Sequence, residues 1–245
     1  MKRFLVAIQF LTIFPVKIKE FEERELGKSM SYFPVIGLFI GFCLVLVEIG
    51  GSKLFPQDVT SVLVLITLIL LSGGIHLDGF SDTIDGFYGG REKEDILEIM
   101  RDPRIGFMGV VWVVCLLLLK FTLIRSLSTK ILLVPMCTVS RWSMVTGATF
   151  SSCARINGKG RSFIEWVGKR EWFLATLITL CVSVSLMKIK GVFLCLSIGI
   201  ITFILTKFIK KRIGGLTGDT LGAISEIVEV LTLLFIVITS FCEIK

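Results

Sequence analysis

Three aspartates, Asp78, Asp82 and Asp85, stand at i, i+4 and i+7 in the stretch Gly73-Gly74-Ile75-His76-Leu77-Asp78-Gly79-Phe80-Ser81-Asp82-Thr83-Ile84-Asp85-Gly86-Phe87. A helix with that spacing carries all three carboxylates on one face. Like charges stacked in this way repel, and aspartate is a poor helix former, so the pattern asks for a cation. Hard divalent ions prefer carboxylate oxygens, and Mg2+ binds through a few carboxylates together with water and substrate phosphate. The segment therefore reads as a magnesium–phosphate site with Asp78, Asp82 and Asp85 as metal ligands. A solvated acidic helix start, stabilised by the helix dipole, accounts for one or two aspartates but poorly for three on one face. His76 is the only histidine. Metal ligand, general base and structural donor are all open to it.

Further polar groups interrupt the apolar background. In Glu98-Ile99-Met100-Arg101-Asp102-Pro103-Arg104-Ile105-Gly106 two arginines flank a proline. Arginine bonds phosphate oxygens in pairs, so this turn could hold a diphosphate, while anchoring by positive charge is the plainer alternative. Arg141 stands inside an apolar run, where a charge is costly and normally faces a polar cavity or a partner. Its alternatives are a structural pair, with Glu48 or another carboxylate, and a place beside an anionic substrate. A polar loop at 151–161 carries Arg155, Asn157, Gly158, Lys159, Gly160 and Arg161 but matches no P-loop pattern. Gly214-Gly215-Leu216-Thr217-Gly218-Asp219 leads into a last apolar run carrying Glu226 and Glu229. Those two glutamates share a helical face and need partners, a second metal or a substrate ring nitrogen among them. The plainer reading makes Asp219 a helix N-cap and lets the dipole favour the glutamates.

The elements that position these groups follow from composition. Of 245 residues, 53% are hydrophobic and 19% charged, with a mean hydropathy of +0.85. A soluble domain carries about 25% charged residues, so this chain has too little polar surface to be one, and disorder is excluded by its hydrophobicity. The fold class expected is all-α, a polytopic helical membrane protein forming one domain over 1–245. Runs near the 20 residues or so that cross a bilayer fall at 33–49, 59–75, 107–124, 131–150, 172–187, 192–208 and 227–241. That gives about seven spans. The opening run, up to Pro15, lacks the small-residue cleavage site of a signal peptide, and is expected to be a short interfacial or re-entrant helix. The seven cysteines form no C-x-x-C pair and read as small buried hydrophobes.

Lysine and arginine enrich cytoplasmic loops. Counting alternate loops with the amino terminus inside puts seventeen basic residues on that side against seven on the other. The expected orientation therefore has a cytoplasmic amino terminus and the aspartate segment on the cytoplasmic face of the cell membrane. This topology and contact with anionic lipid account for the net charge of +7 without a nucleic-acid partner.

HLDGFSDTIDGFYGG, EIMRDPRIG and GGLTGDTLGAISEIVE, with FLTIFPV and SYFPVIGLFIG before them, resemble the cobalamin synthase family, the adenosylcobinamide-GDP ribazoletransferases. The resemblance runs in order over nearly the whole chain. It implies an integral membrane transferase, dependent on Mg2+, that joins adenosylcobinamide-GDP to α-ribazole or α-ribazole 5′-phosphate and releases GMP, the last stage of nucleotide-loop assembly. On that reading Asp78, Asp82, Asp85 and Asp219 are metal ligands. Asp82, with His76 or Asp85 as proton acceptor, is catalytic. Arg101, Asp102, Arg104, Arg141, Arg155, Lys159, Thr217, Glu226 and Glu229 surround the substrates, and homo-oligomerisation is left open. CDP-alcohol phosphatidyltransferases share the logic of spaced aspartates at a membrane boundary. Their D-G-x-x-A-R pattern departs here, where Asp78-Gly79 is followed by Ser81-Asp82. A small cation transporter is the non-enzymatic alternative, disfavoured by the lack of repeat-related halves.

Overall fold

The structure, a computed structural model, describes residues 2–16, 22–155 and 160–244, with side chains as far as Phe241. The described residues form twelve α-helices: α1 (Lys2–Leu11), α2 (Glu23–Ser29), α3 (Phe33–Gly51), α4 (Gln57–Ser72), α5 (Ile75–Gly89), α6 (Lys93–Ile99), α7 (Phe107–Arg125), α8 (Leu133–Thr149), α9 (Arg161–Trp166), α10 (Lys169–Met187), α11 (Ile189–Ile213) and α12 (Gly218–Ile244). Six segments are long and apolar enough to cross a membrane, and the bent pair α4–α5 makes a seventh if taken as one span. The chain is a multi-pass membrane protein, as its composition requires.

Helix α8 is the axis of the bundle. It is buried along almost its whole length, whereas the most apolar stretches of α7, α10 and α11 are only 28% buried and turn the rest of their side chains outward. Lipid gives apolar side chains no reason to cluster, so helices in a membrane associate through close packing of small residues. Accordingly, Gly37 and Gly41 of α3 lie directly on the α8 backbone at Cys137 and Val134. The cysteines follow the same division. Cys137 and Cys195 are buried, but Cys115 and Cys181 are exposed, which corrects the expectation of uniformly buried thiols.

The second expected span ends early. At Gly73 and Gly74 the backbone takes φ of 65° and 70°, a conformation glycine adopts at little cost, and α5 leaves at 89° to α4. A break in an apolar environment must still satisfy its backbone carbonyls. Gly74 N–H donates to Ile69 O at 3.0 Å and Gly73 N–H to Leu70 O at 3.1 Å. The next carbonyl, Leu71 O, accepts from Ile13 N–H at 2.9 Å, so the segment just after α1 completes the break. The expected amino-terminal helix is thus present, and it supports the bend that aims α5.

The last helix differs from expectation too. It starts at Gly218 rather than near 227, so Glu226 and Glu229 lie in its third and fourth turns. Its cap is Thr217, not Asp219. Thr220 N–H donates to Thr217 Oγ1 at 3.1 Å and Thr217 N–H to Thr220 Oγ1 at 2.8 Å, a reciprocal cap of the capping-box kind. Asp219 follows inside the first turn.

Candidate active site

Helix α5 carries Asp78, Asp82 and Asp85 on one side, as their spacing predicts, with Asp78 exposed and the other two half-buried. The start of α12 crosses this helix closely. A Cβ on Gly79 would stand 2.7 Å from the Asp219 carbonyl oxygen, and one on Gly222 would stand 3.1 Å from His76 Cα. Those two glycines let the backbones meet, and the crossing brings Asp219 to the aspartate face. Asp82 lies within electrostatic reach of Asp78, Asp85, Asp219 and the Arg155 cation. Arg155 Nη1 donates to Asp219 Oδ2 at 3.0 Å, and its Nη2 lies 3.5 Å from Leu97 O. Four carboxylates thus surround an open face with one half-buried guanidinium at its edge.

Asp85 is the member of this set with a different task. Its Oδ2 accepts from Gly106 N–H at 2.8 Å and its Oδ1 from Gly109 N–H at 2.7 Å. These are the N-cap and N3 positions of α7, whose cap residue has no side chain to supply the bond. A carboxylate from another helix caps α7 instead, satisfying two amides that would otherwise be orphaned. Both glycines are needed, because a Cβ at either would collide with the carboxylate. This fastens the Arg101–Arg104 turn to the aspartate helix.

His76 faces the other way. It is 2% exposed, its Nε2 has no hydrogen-bond partner, and the charges nearest it are Arg141, Glu229 and Lys120. Nine residues of helix, about 13 Å, separate it from Asp85. Of the two residues expected as alternative proton acceptors, His76 is thus turned away from the aspartate face and Asp85 is held by the α7 amides.

Beneath His76 lies a closed ionic cluster. Lys120 of α7 donates to Glu226 and Glu229 of α12, and Arg141 of α8 donates to Glu229 and, at 2.8 Å, to Ser140 Oγ. Two cations meet two anions, and all four residues are at least 93% buried. Arg141 is partnered by Glu229 rather than Glu48, which accepts from Gln57 Nε2 at 3.0 Å at the far end of the bundle. Lys120 went unrecognised in the sequence, where it counts as the first basic residue of a loop at 120–130. Its signal was a lone ammonium in the otherwise apolar Cys115-Leu116-Leu117-Leu118-Leu119-Lys120-Phe121 run.

The sequence model of the cobalamin-5-phosphate synthases matches residues 3–237. A curated relative from Acetivibrio thermocellus named adenosylcobinamide-GDP ribazoletransferase is 38% identical, over 93% of this chain and 94% of its own length. Relatives of the same name from Desulforamulus reducens and Fusobacterium nucleatum are 38% and 33% identical over 91% and 98% of this chain, and over 91% and 99% of their own lengths. The chain belongs to the cobalamin-5-phosphate synthase family. No solved structure matches it. The family match takes in both the aspartate face and the ionic cluster.

Within this family fold the remaining expected site residues divide clearly. Asp102 and Arg104 form an exposed pair, 2.6 Å from Oδ2 to Nη2, and hydrogen bonds from the Arg104 side chain and backbone hold the Asp102 carboxyl down at about 2. Arg101 is exposed at the same turn. Thr217 is buried as the α12 cap, and its Oγ1 lies 3.5 Å from Asp219 Oδ2. Arg141, Glu226 and Glu229 are in the closed cluster, away from the open face. Lys159 falls outside the described residues. Among the described residues no group of three or more acidic, histidine or cysteine side chains is arranged to hold a metal ion. The open face offers hard carboxylate oxygens from Asp78, Asp82 and Asp219, the donor type Mg2+ takes when substrate phosphate and water complete its shell.

Proposed function

We propose that this transferase of cobalamin biosynthesis moves the adenosylcobinamide-phosphate group from adenosylcobinamide-GDP to a ribose hydroxyl of α-ribazole or α-ribazole 5′-phosphate, releasing GMP, with Mg2+ at the α5–α12 crossing. The observation that carries the reading is the open face on which Asp78, Asp82 and Asp219 stand under-neutralised beside Arg155. Two polyanions must approach one another for this reaction, so positioning and charge neutralisation dominate the catalytic task.

Asp78 and Asp219 would hold the metal, which supplies a positive charge for the phosphoryl oxygens. This narrows the sequence expectation, in which all four aspartates were ligands. Asp82, between them, accepts the proton of the attacking hydroxyl. As the new O–P bond forms at the cobinamide-side phosphorus, the bond to the GMP oxygen breaks and GMP leaves with the electron pair. Arg155 binds a diphosphate oxygen, and Arg101 and Arg104 guard the approach on the turn that Asp85 fastens.

The orientation follows from charge. With Lys120 inside the bundle, the sequence count of basic residues in alternate loops becomes seventeen against six, which supports a cytoplasmic aspartate face. The test is GMP release from adenosylcobinamide-GDP by the purified protein in detergent, with each acceptor in turn, with and without Mg2+. Release that needs donor, acceptor and metal together is expected. Transfer from CDP-diacylglycerol instead, or cation flux in proteoliposomes without transfer, overturns the assignment.

A further inference from the structure

The last carbonyls of an α-helix have no partner within it. At the end of α5 the Gly90 N–H donates to Gly86 O at 2.9 Å, and two carbonyls beyond are met from another helix. Arg212 of α11 donates from Nη2 to Phe87 O at 3.1 Å and to Gly90 O at 3.4 Å. A cation bonded there also suits the negative end of the α5 dipole. The guanidinium lies over the Phe87 ring, 5.5 Å from its centroid. Phe208, one turn earlier on α11, meets the same ring edge-on with centroids 5.9 Å apart. Residues four apart share a helical face, so Phe208 and Arg212 grip Phe87 together.

The place of Arg212 in the chain extends this grip beyond α5. Helix α11 ends at Ile213, Gly214 turns the chain with a φ of 80°, and α12 begins at Gly218 with Asp219 in its first turn. The stretch between is itself pinned. Ala154 N–H donates to Leu216 O and Leu216 N–H to Ser152 O, both at 2.8 Å. Arg212 therefore holds α5 by its terminal carbonyls while standing at the root of α12. Those two helices carry the carboxylates of the open face. They cross closely at Gly79 and Gly222, and helices that cross at one place can still swing about it. Asp82 lies between that crossing and the carbonyls that Arg212 holds, so the grip fixes the part of α5 that faces Asp219.

We infer that Arg212 is a positioning residue of the transfer reaction. By holding the carbonyl end of α5 against the root of α12 it sets the spacing of Asp78 and Asp82 from Asp219, a role that rests on the open carboxylate face as the reacting site. Arg212 acts through the carboxylates and not on the substrates.

The experiment compares the full chain and its variants in detergent by three readings. These are GMP release against Mg2+ concentration, Mn2+ binding by electron paramagnetic resonance without substrate, and hydrogen exchange of residues 83–90 without substrate or metal. Arg212→Met keeps the stem and removes the donors. It is expected to lower kcat, and to raise the half-saturating Mg2+ and Mn2+ concentrations, about tenfold each, the scale on which partners that orient metal ligands act, with a smaller change in the KM for adenosylcobinamide-GDP. Exchange over 83–90 should quicken while that of α8 stays level. Both bonds come from one nitrogen, so an ammonium can replace it, and Arg212→Lys should recover most of each loss. Lys211→Gln removes an equal charge from the exposed neighbouring position and should match wild type. Phe208→Ala takes away the other half of the grip at a half-exposed position. It should move the same readings in the same direction by less, and it carries the test if Arg212→Met does not insert. Wild type that releases no GMP, or releases it without Mg2+, overturns the reading of the site, and exchange over 83–90 then decides alone whether Arg212 holds α5. Wild-type readings in Arg212→Met and Phe208→Ala, or equal losses in Arg212→Met and Arg212→Lys with exchange unchanged, overturn the role of Arg212.

Discussion

Seven residues along α12 separate Asp219 from Glu226, and over that short distance the treatment of charge reverses. At the helix start, acidic groups gather around a single guanidinium and stay open to solvent. Two turns deeper, Glu226 and Glu229 are matched by Lys120 and Arg141 and sealed off. The open face keeps an electrostatic deficit that a cation and a phosphate can relieve. The closed cluster has none, because an unmatched charge at that burial would cost several kcal/mol. One region is built to be completed by a ligand and the other is matched in charge within itself. Together they hold the same helix, so α12 is anchored by its middle and reactive at its tip.

The comparison breaks most readily at Asp82. Asp82→Ala should cut GMP release about 1,000-fold, the scale on which a transition-state group acts, while thermal stability stays level or rises as a like charge is removed. Near-normal turnover would take Asp82 out of the reaction. Glu229→Leu should do the reverse, lowering stability by about 3 to 5 kcal/mol by stranding the buried Arg141 cation while Lys120 keeps Glu226. Replacing Lys120, Arg141, Glu226 and Glu229 together by Met and Leu should cost much less than that single change, by chemical or thermal unfolding in detergent. If the fourfold variant is the less stable, the cluster is not a self-contained neutral set.

Arg155→Gln sharpens the open side. It should raise the KM for adenosylcobinamide-GDP about tenfold, the worth of one charged hydrogen bond, with a smaller change in kcat. Asp85→Asn tests the division within the aspartates. Losing part of a helix cap costs about 1 kcal/mol, so its melting temperature should fall slightly and its activity far less than in Asp82→Ala. An equal loss of activity would return Asp85 to the reacting face. The smallest effect is expected at Asp102. Its depressed carboxyl binds its proton only as pH falls through about 2. The Arg104 pair therefore contributes its stability above the ordinary carboxylate range and loses it only in strong acid. Asp102→Asn should leave the stability profile flat and unchanged from pH 5 to 8.

Much of this molecule was legible in the chain itself. Apolar run length gave the spans, and the i, i+4, i+7 aspartates gave a helical face because both signals are local. Most of the failures involve partners distant in sequence. Lys120 near the end of an apolar run can snorkel toward water, and only packing shows that it turns inward to α12. Arg141 could have met any carboxylate, and nothing near it in the chain names Glu229. Thr217 and Asp219 are both good N-caps two positions apart, and hydrogen bonds alone distinguish them. Asp85 matched its neighbours in type and spacing, so its attachment to α7 was invisible until Gly106 and Gly109 were placed beside it.

The bond from Ile13 to Leu71 has a consequence for how this protein can be made and handled. During synthesis the donor leaves the ribosome well before its acceptor, so the elbow at Gly73 finds its brace already waiting. A peptidase that mistook the leader-like opening for a disposable signal would therefore do more than shorten the chain. It would unhook the lever that aims the aspartates, and an expression strategy that trims the front of the protein would disarm a reaction carried out far along it.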